Sequence, residues 1–242
     1  MYTFDSRIRY SETDPDGYLR VDSLIDYLQD CSTFQSEDLG IGISYLQEHH
    51  CAWLINYWQI DILRLPRLGE RVVIGTSPYE IRGFLGKRNF MMESKEGERL
   101  VNANSIWSLI DTQKGLPVHA TKEMIEPYEI APKFDMEYLP RKIQVPKEGG
   151  TPWKSFFVTE QDIDSNHHVN NSRYVRMAMV KEKNNVGIRR LRVDYLQQAH
   201  LGDSMNPVLY GDMEGDHIIS LNGEDGKPVA IVEIIRSNQK KQ

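Results

Sequence analysis

From Val21 onward, the apolar positions Val21, Leu24, Ile25 and Leu28 recur at helical spacing. They continue more softly through Ser32, Gln35 and Leu39. The pattern predicts a helix that lays one stripe on a sheet, with Asp22 as N-cap and Gly40 as stop. Strand-like runs follow at 52–63, 71–80, 87–94 and 100–111, separated by glycine and charged turns such as Lys95-Glu96-Gly97-Glu98. The second part of the chain has the same order. A short strand is expected at 155–159 and a helix at 171–183 with Tyr174, Met177 and Ala178 on one face. Strands follow at 189–197, 205–213, 217–222 and 228–236. Between the two parts runs a proline-rich stretch, Leu116–Gly150, with little periodicity, which reads as an ordered surface connection.

The two parts also echo each other in sequence. Thr13–Asp26 (TDPDGYLRVDSLID) aligns with Gln161–Tyr174 (QDIDSNHHVNNSRY) at an offset of 148, Asp14 meeting Asp162. IDILRLPRLGE from Ile60 aligns with VDYLQQAHLGD from Val193 at an offset of 133, which gives the first part about 15 extra residues. One helix per unit with a long antiparallel sheet is an α+β arrangement, and each unit alone leaves a sheet edge open. Two units paired edge to edge cover those edges. The expected division is 1–130, a linker at 131–152, and 153–242.

Composition narrows the function. The 242 residues hold 40% hydrophobic and 26% charged side chains, enough for an ordinary core without staples. No apolar run approaches the ~20 residues of a membrane span, and the first residues lack the pattern of a signal peptide, so a cytoplasmic protein away from membranes is expected. Cys31 and Cys51 are the only cysteines, too few for a disulfide framework or a multi-thiolate metal site. A net charge of −6 argues against nucleic-acid binding.

The densest polar cluster is Asp162–Asn171, DIDSNHHVNN, between a strand and a helix. Such turns gather side chains beside free backbone N–H groups, where developing negative charge is favoured. Asp164, Asn166 and His168 stand at i, i+2 and i+4: a base, a positioning amide and an imidazole. A polar turn with an asparagine helix cap would read the same way. His167 and His168 are adjacent, as are His49 and His50, and adjacent histidines do not readily share one ion, so no metal is expected. No G-x-S-x-G elbow occurs, and both cysteines read as small packed residues.

Asp164-Ser165-Asn166-His167-His168-Val169-Asn170-Asn171 resembles the D-x-N-x-H-V-N-N motif of acyl–acyl-carrier-protein (acyl-ACP) thioesterases, the plant plastid enzymes and their bacterial relatives. Further likeness runs through Leu63–Gly69, Gly86-Lys87-Arg88, Ala103–Trp107 and Val193-Asp194-Tyr195, and so covers roughly residues 1–236. The resemblance implies two tandem hotdog units, each a long helix wrapped by an antiparallel sheet, without a cofactor. It implies catalytic roles for Asp164, Asn166 and His168. Gln198 stands where plant members carry a Glu, and Ala199 where they carry a Cys. A glutamine cannot act as a base, and no cysteine follows Cys51, so a Cys nucleophile does not apply.

The implied reaction is hydrolysis of a fatty acyl thioester on acyl carrier protein, with Asp164 as base or as nucleophile. Backbone N–H groups near Val169, Asn170 and Asn171 would form the oxyanion hole. The first unit, with Tyr18 and Arg20 at the aligned positions of Asn166 and His168, would be catalytically silent. It would supply the acyl pocket from Ile25, Leu28, Phe34, Trp53 and Ile55. Basic residues Arg173, Arg176, Lys181, Lys183, Arg189, Arg190 and Arg192 are the expected carrier-docking patch on an otherwise acidic chain. Alternatives are an acyl-CoA thioesterase, a hotdog dehydratase, and a non-catalytic acyl-thioester sensor. Pairing with a second copy is left open.

Overall fold

The structure is a computed structural model that describes residues 1–164, 167–182 and 185–237. In chain order the strands are β1 (Tyr2–Arg7), β2 (Cys51–Ile62), β3 (Arg71–Arg82), β4 (Leu85–Ser94), β5 (Arg99–Asp111), β6 (Leu116–Pro117), β7 (Thr151–Pro152), β8 (Phe156–Phe157), β9 (Ile188–Tyr195), β10 (Ser204–Gly211), β11 (His217–Asn222) and β12 (Pro228–Arg236). The helices are α1 (Val21–Asp38), α2 (Ile43–Glu48), α3 (Lys122–Ile125) and α4 (Asn171–Ala178).

The strands join into one antiparallel sheet ordered β1-β3-β4-β5-β2-β9-β12-β11-β10-β7. The α1 stripe sinks into it: Val21, Leu24, Ile25, Leu28 and Cys31 are fully buried in one core with Trp58, Ile60 and Phe90. This is the expected α+β arrangement of two hotdog units. Asp22 does not cap α1, because Arg20 occupies that place without a side-chain cap bond, and Asp22 lies inside the first turn. Gly40, at φ 72°, ends it as expected. The helix expected to reach 183 regularises only to Ala178. Strand β1 and helix α2, too short for a clear period, were not legible in the pattern.

The backbone repeats itself at a register that differs from the sequence echo. The bridges Thr13–Leu19 and Ile163–Val169 match. So do the hydrogen bonds from Asp14 N to Tyr18 O and from Asp164 N to His168 O, and the positive-φ residues Gly17 and His167. The helix starts Val21 and Asn171 match as well. Each pair stands 150 residues apart, not 148. The Asp-x-Asp of the first unit can slide by two along Asp162-Ile163-Asp164, which misleads the sequence alignment. Asp14 therefore corresponds to Asp164 and Tyr18 to His168, while Arg20 corresponds to Asn170. The second offset of 133 holds: Gly69 and Gly202 share a positive φ, and the Glu70 N–Arg67 O bond has its copy in Asp203 N–His200 O.

The units meet along β2 and β9, where Tyr57 faces Asp194, Gln59 faces Arg192 and Asp61 faces Arg190. Gln59 and Arg192 are counterparts under the 133 offset, so a pseudo-twofold axis passes between them. Side chains alternate across the sheet. Trp58 and Ile60 enter the core beneath the helices, while Gln59, Asn89 and Arg192 face outward and hold the connection between units. Gln59 Nε2 donates to Glu137 O at 2.6 Å, and Gln59 Oε1 accepts from Leu139 N at 3.0 Å. Asn89 Oδ1 accepts from Phe134 N and Tyr138 OH. Arg192 donates to Tyr57 OH, Glu233 and Pro140 O at 2.8, 2.6 and 2.5 Å.

Arg192→Ala would strand a carboxylate and a carbonyl beneath the connecting segment. It is expected to cost about 3–5 kcal/mol in denaturant unfolding. Arg189→Ala, at an exposed position near the start of the same strand, should stay within about 0.5 kcal/mol.

Candidate functional site

The site is built on the turn that feeds α4. Ile163 bridges Val169, closing a loop in which His167 N donates to Asp164 O and Asp164 N donates to His168 O. The closure needs a left-handed residue. His167 takes it at φ 62°, where the first unit uses Gly17, and a non-glycine residue there stores strain in the turn. Asn170 caps α4, its side-chain oxygen accepting from Ser172 N and Ser172 Oγ at 3.0 Å. Asn166 lies outside the described residues.

Asp164 faces two cavities. One, of about 400 Å³, runs between α1, α2 and the sheet. The other, of about 180 Å³, is lined by His168, Tyr174, Tyr195, Leu196, Gln197 and Gln198. Asp164, Asn171 and Trp53 border both, so the carboxylate stands at their junction. Gln198 is exposed at the mouth of the smaller space, and Ala199 is buried, its N–H donating to Tyr174 OH at 2.9 Å.

Several expected residues take other places. Ile25 and Leu28 are wholly buried in the core and line neither cavity. The face that α1 turns to the larger cavity is polar instead: Gln29, Asp30, Ser32, Thr33 and Ser36. Phe34 packs edge-on against Phe4. Trp53 does line the cavity, and Ile55 lines the smaller one. Of the amides expected for an oxyanion hole, Val169 N donates to Ala199 O and Asn170 N to Asp162 O, both at 2.9 Å. That leaves the Asn171 N–H, in the first turn of α4, with no acceptor among the described residues.

The expected basic patch is dispersed. Arg190, with a side chain 14% exposed, pairs with Asp61 and Glu137, and Arg192, at 8%, is held beneath the connection. Arg176, Lys181 and Arg189 remain exposed and Arg173 half-buried, while Lys183 lies outside the described residues.

Sequence reasoning missed the supports. Tyr195 OH donates to Asn171 O at 2.9 Å, and Asn171 Nδ2 donates across the units to Gln29 on α1, also at 2.9 Å. Burial raises Tyr174 to about 12 and Tyr195 well above its ordinary value, so both remain phenols. The His200 ring lies edge-on to His168 with centroids 4.9 Å apart. Its counterpart Arg67 lies over the Tyr18 ring at 4.4 Å, so the internal repeat was the available signal for His200. Desolvation, then His200, draws the His168 imidazole below its ordinary range against the pull of Asp164. Cys31 is buried with its thiol raised to about 12 by desolvation, unsuited to attack.

Two hotdog units in one chain, with one polar turn at the junction of two cavities among the described residues, make this a double-hotdog protein with a candidate site on that turn. The family model for the acyl-ACP thioesterase N-terminal domain matches residues 1–128, and that for the C-terminal domain matches residues 148–231. The fold is similar to that of an acyl-ACP thioesterase from Bacteroides thetaiotaomicron, at 22% identity over 97% of each chain with a TM-score of 0.88. It is also similar to a 12:0-ACP thioesterase from Umbellularia californica, at 16% identity over 98% of each chain with a TM-score of 0.81. A search of curated protein sequences gave no match. The chain belongs to the acyl-ACP thioesterase family and is a thioester hydrolase.

With its pKa lowered, His168 keeps the neutral form further into acid than an ordinary histidine. An NMR titration should place its midpoint below about 6.5. His200→Ala, which removes a like charge, should move that midpoint upward.

Proposed function

We propose that the chain releases fatty acid from acyl carrier protein with Asp164, Asn166 and His168 as its catalytic residues. Residues 153–242 would form the catalytic unit, residues 1–130 the acyl-binding unit, and 131–152 the linker. The observation that carries the reading is the place of Asp164, between a large cavity suited to a chain and a smaller one beside His168. Water attacks the thioester carbonyl while the Asp164 carboxylate takes its proton. The oxyanion forms against the Asn171 N–H at the positive end of α4. As the C–S bond breaks, the proton that Asp164 took from water is relayed through His168, one ring nitrogen receiving it as the other gives its own to the pantetheine sulfur, so that the ring stays neutral and Asp164 returns to its carboxylate form. Asn166, by its sequence position, would hold the carboxylate or the water. Gln198 would hydrogen-bond water in the smaller cavity, since its amide can donate and accept but cannot act as a base.

No helix of the described residues is long and apolar enough to cross a membrane. The two free thiols fit a reducing, cytoplasmic setting, and the reaction would end a round of fatty acid biosynthesis. The carrier, itself acidic, would be met by Arg173 and Arg176 on α4 rather than by Arg190 or Arg192, which are already engaged. A second copy of the chain is not required for the site, since both units contribute to it from one chain.

The test is fatty acid release from acyl-ACP and acyl-CoA panels of graded chain length. Asp164→Ala and His168→Ala are each expected to lower kcat by roughly 10²–10⁴ in folded protein, the range of a lost acid–base group. Turnover surviving both substitutions would overturn the mechanism, and equal turnover of the CoA esters would overturn the carrier assignment. Arg173→Glu with Arg176→Glu should raise KM for the carrier substrate several-fold and leave kcat for a CoA ester unchanged.

A further inference from the structure

The turn that carries the candidate chemistry belongs to the second unit, yet its helix is tied to the first. Helix α4 has eight residues, and a helix that short does not fix its own start. Helix α1 has 18 residues and a stripe sunk in the core, so it is the firmer of the two. Where they lie side by side, Asn171, the first residue of α4, donates from Nδ2 to Gln29 Oε1 at 2.9 Å. From β9, the buried Tyr195 donates its hydroxyl to Asn171 O, also at 2.9 Å.

Gln29 is half-buried on the polar side of α1, and it borders the larger cavity together with Asp164 and Asn171. Among the described residues, Asn171 is the hydrogen-bond partner of its side chain. No core contact demands a polar residue there. What the bond reaches is the residue whose backbone N–H is left over at the turn, since the amides of Val169 and Asn170 are already engaged. A donor to an oxyanion works by standing in place before the charge develops. The Asn170 cap holds the turn at one end and Tyr195 holds the Asn171 carbonyl, while Gln29 sets the start of α4 against the long helix.

We propose that Gln29, in the first unit, is a positioning residue for the reaction on the second: it holds Asn171 so that the Asn171 N–H meets the oxyanion. This rests on the thioesterase reading above and adds a residue of the acyl-binding unit to the machinery of that site. A bond between two side-chain amides carries no charge and does not titrate. Its loss changes where the donor stands and leaves the ionisation of the acid–base groups as it was.

The experiment compares Gln29→Met, Asn171→Ala and the double variant with wild type, on the acyl carrier protein substrate that wild type turns over fastest. Gln29→Met keeps the reach and loses the acceptor. Asn171→Ala keeps the backbone N–H and loses the side-chain tie. Each should lower kcat by about tenfold to a hundredfold, the cost of moving a catalytic group by about an ångström or less. KM should stay within about twofold, since the bond is not one to the ground-state substrate. The double variant should be no slower than the slower single, because both substitutions break the same tie. The pH profile of kcat should keep its wild-type inflections. In an NMR spectrum of Gln29→Met, the Asn171 backbone amide should shift. A kcat unchanged in folded Gln29→Met, a loss confined to KM, single effects that multiply in the double variant, or an unmoved Asn171 amide would each overturn the proposal. No turnover of any acyl chain by folded wild type would overturn the thioesterase reading instead, and the Asn171 resonance reports on the tie independently of it.

Discussion

A sheet edge that is not paired must be hidden, and in this chain each unit hides its edge against the other. The β2–β9 seam is the constraint from which the other features follow. It places α1 and α4 side by side on one face, so that Asn171 of one helix reaches Gln29 of the other. It places the outward polar residues Gln59 and Arg192 at the pseudo-twofold, where they fix the course of the segment between units. The candidate site is thus shared: the chemistry comes from the α4 turn, and the space comes from α1, α2 and the first-unit strands.

The space exists because the units are unequal. Across the pseudo-twofold, the first unit has a longer helix and an additional α2, and these wall the cavity under Asp164. The second unit has a short helix and a tight return, and there the equivalent carboxylate, Asp14, is buried and meets Asn185. Length inserted into one copy opened room that the other copy keeps filled. Helix α1 turns its apolar stripe to the core, as burial demands, and its polar side to the cavity.

Much of this was legible in the sequence. Helical and alternating periods gave the order of elements, the proline-rich stretch gave the connection, and the D-x-N-x-H-V-N-N string marked the turn on which the candidate site is read. What escaped has particular causes. The repeat register slipped by two because Asp-x-Asp matches itself in either frame, and only backbone hydrogen bonds decide between them. Ile25 and Leu28 read as pocket residues because an apolar stripe does not reveal whether it faces a core or a cavity. Arg190 and Arg192 read as surface charge because their partners, Asp61, Glu137 and Glu233, lie on distant segments. Arg88 reads as part of a strand, and nothing local says that a strand cation will look into a cavity.

The clasp at Asp14 bears on the ancestry of such chains. A symmetric pair of identical units would carry two equivalent turns, and among the described residues of this chain only one of the two carboxylates borders the cavities. Its second carboxylate has been taken over as a fastener, since Asn185 reaches it with both its backbone and its side-chain nitrogen. Going back is therefore not a matter of restoring a histidine at Tyr18. Freeing Asp14 would undo a buried attachment between the halves before any new chemistry could begin. Fusion acted here as a ratchet, with specialisation of one half paid for by commitment of the other.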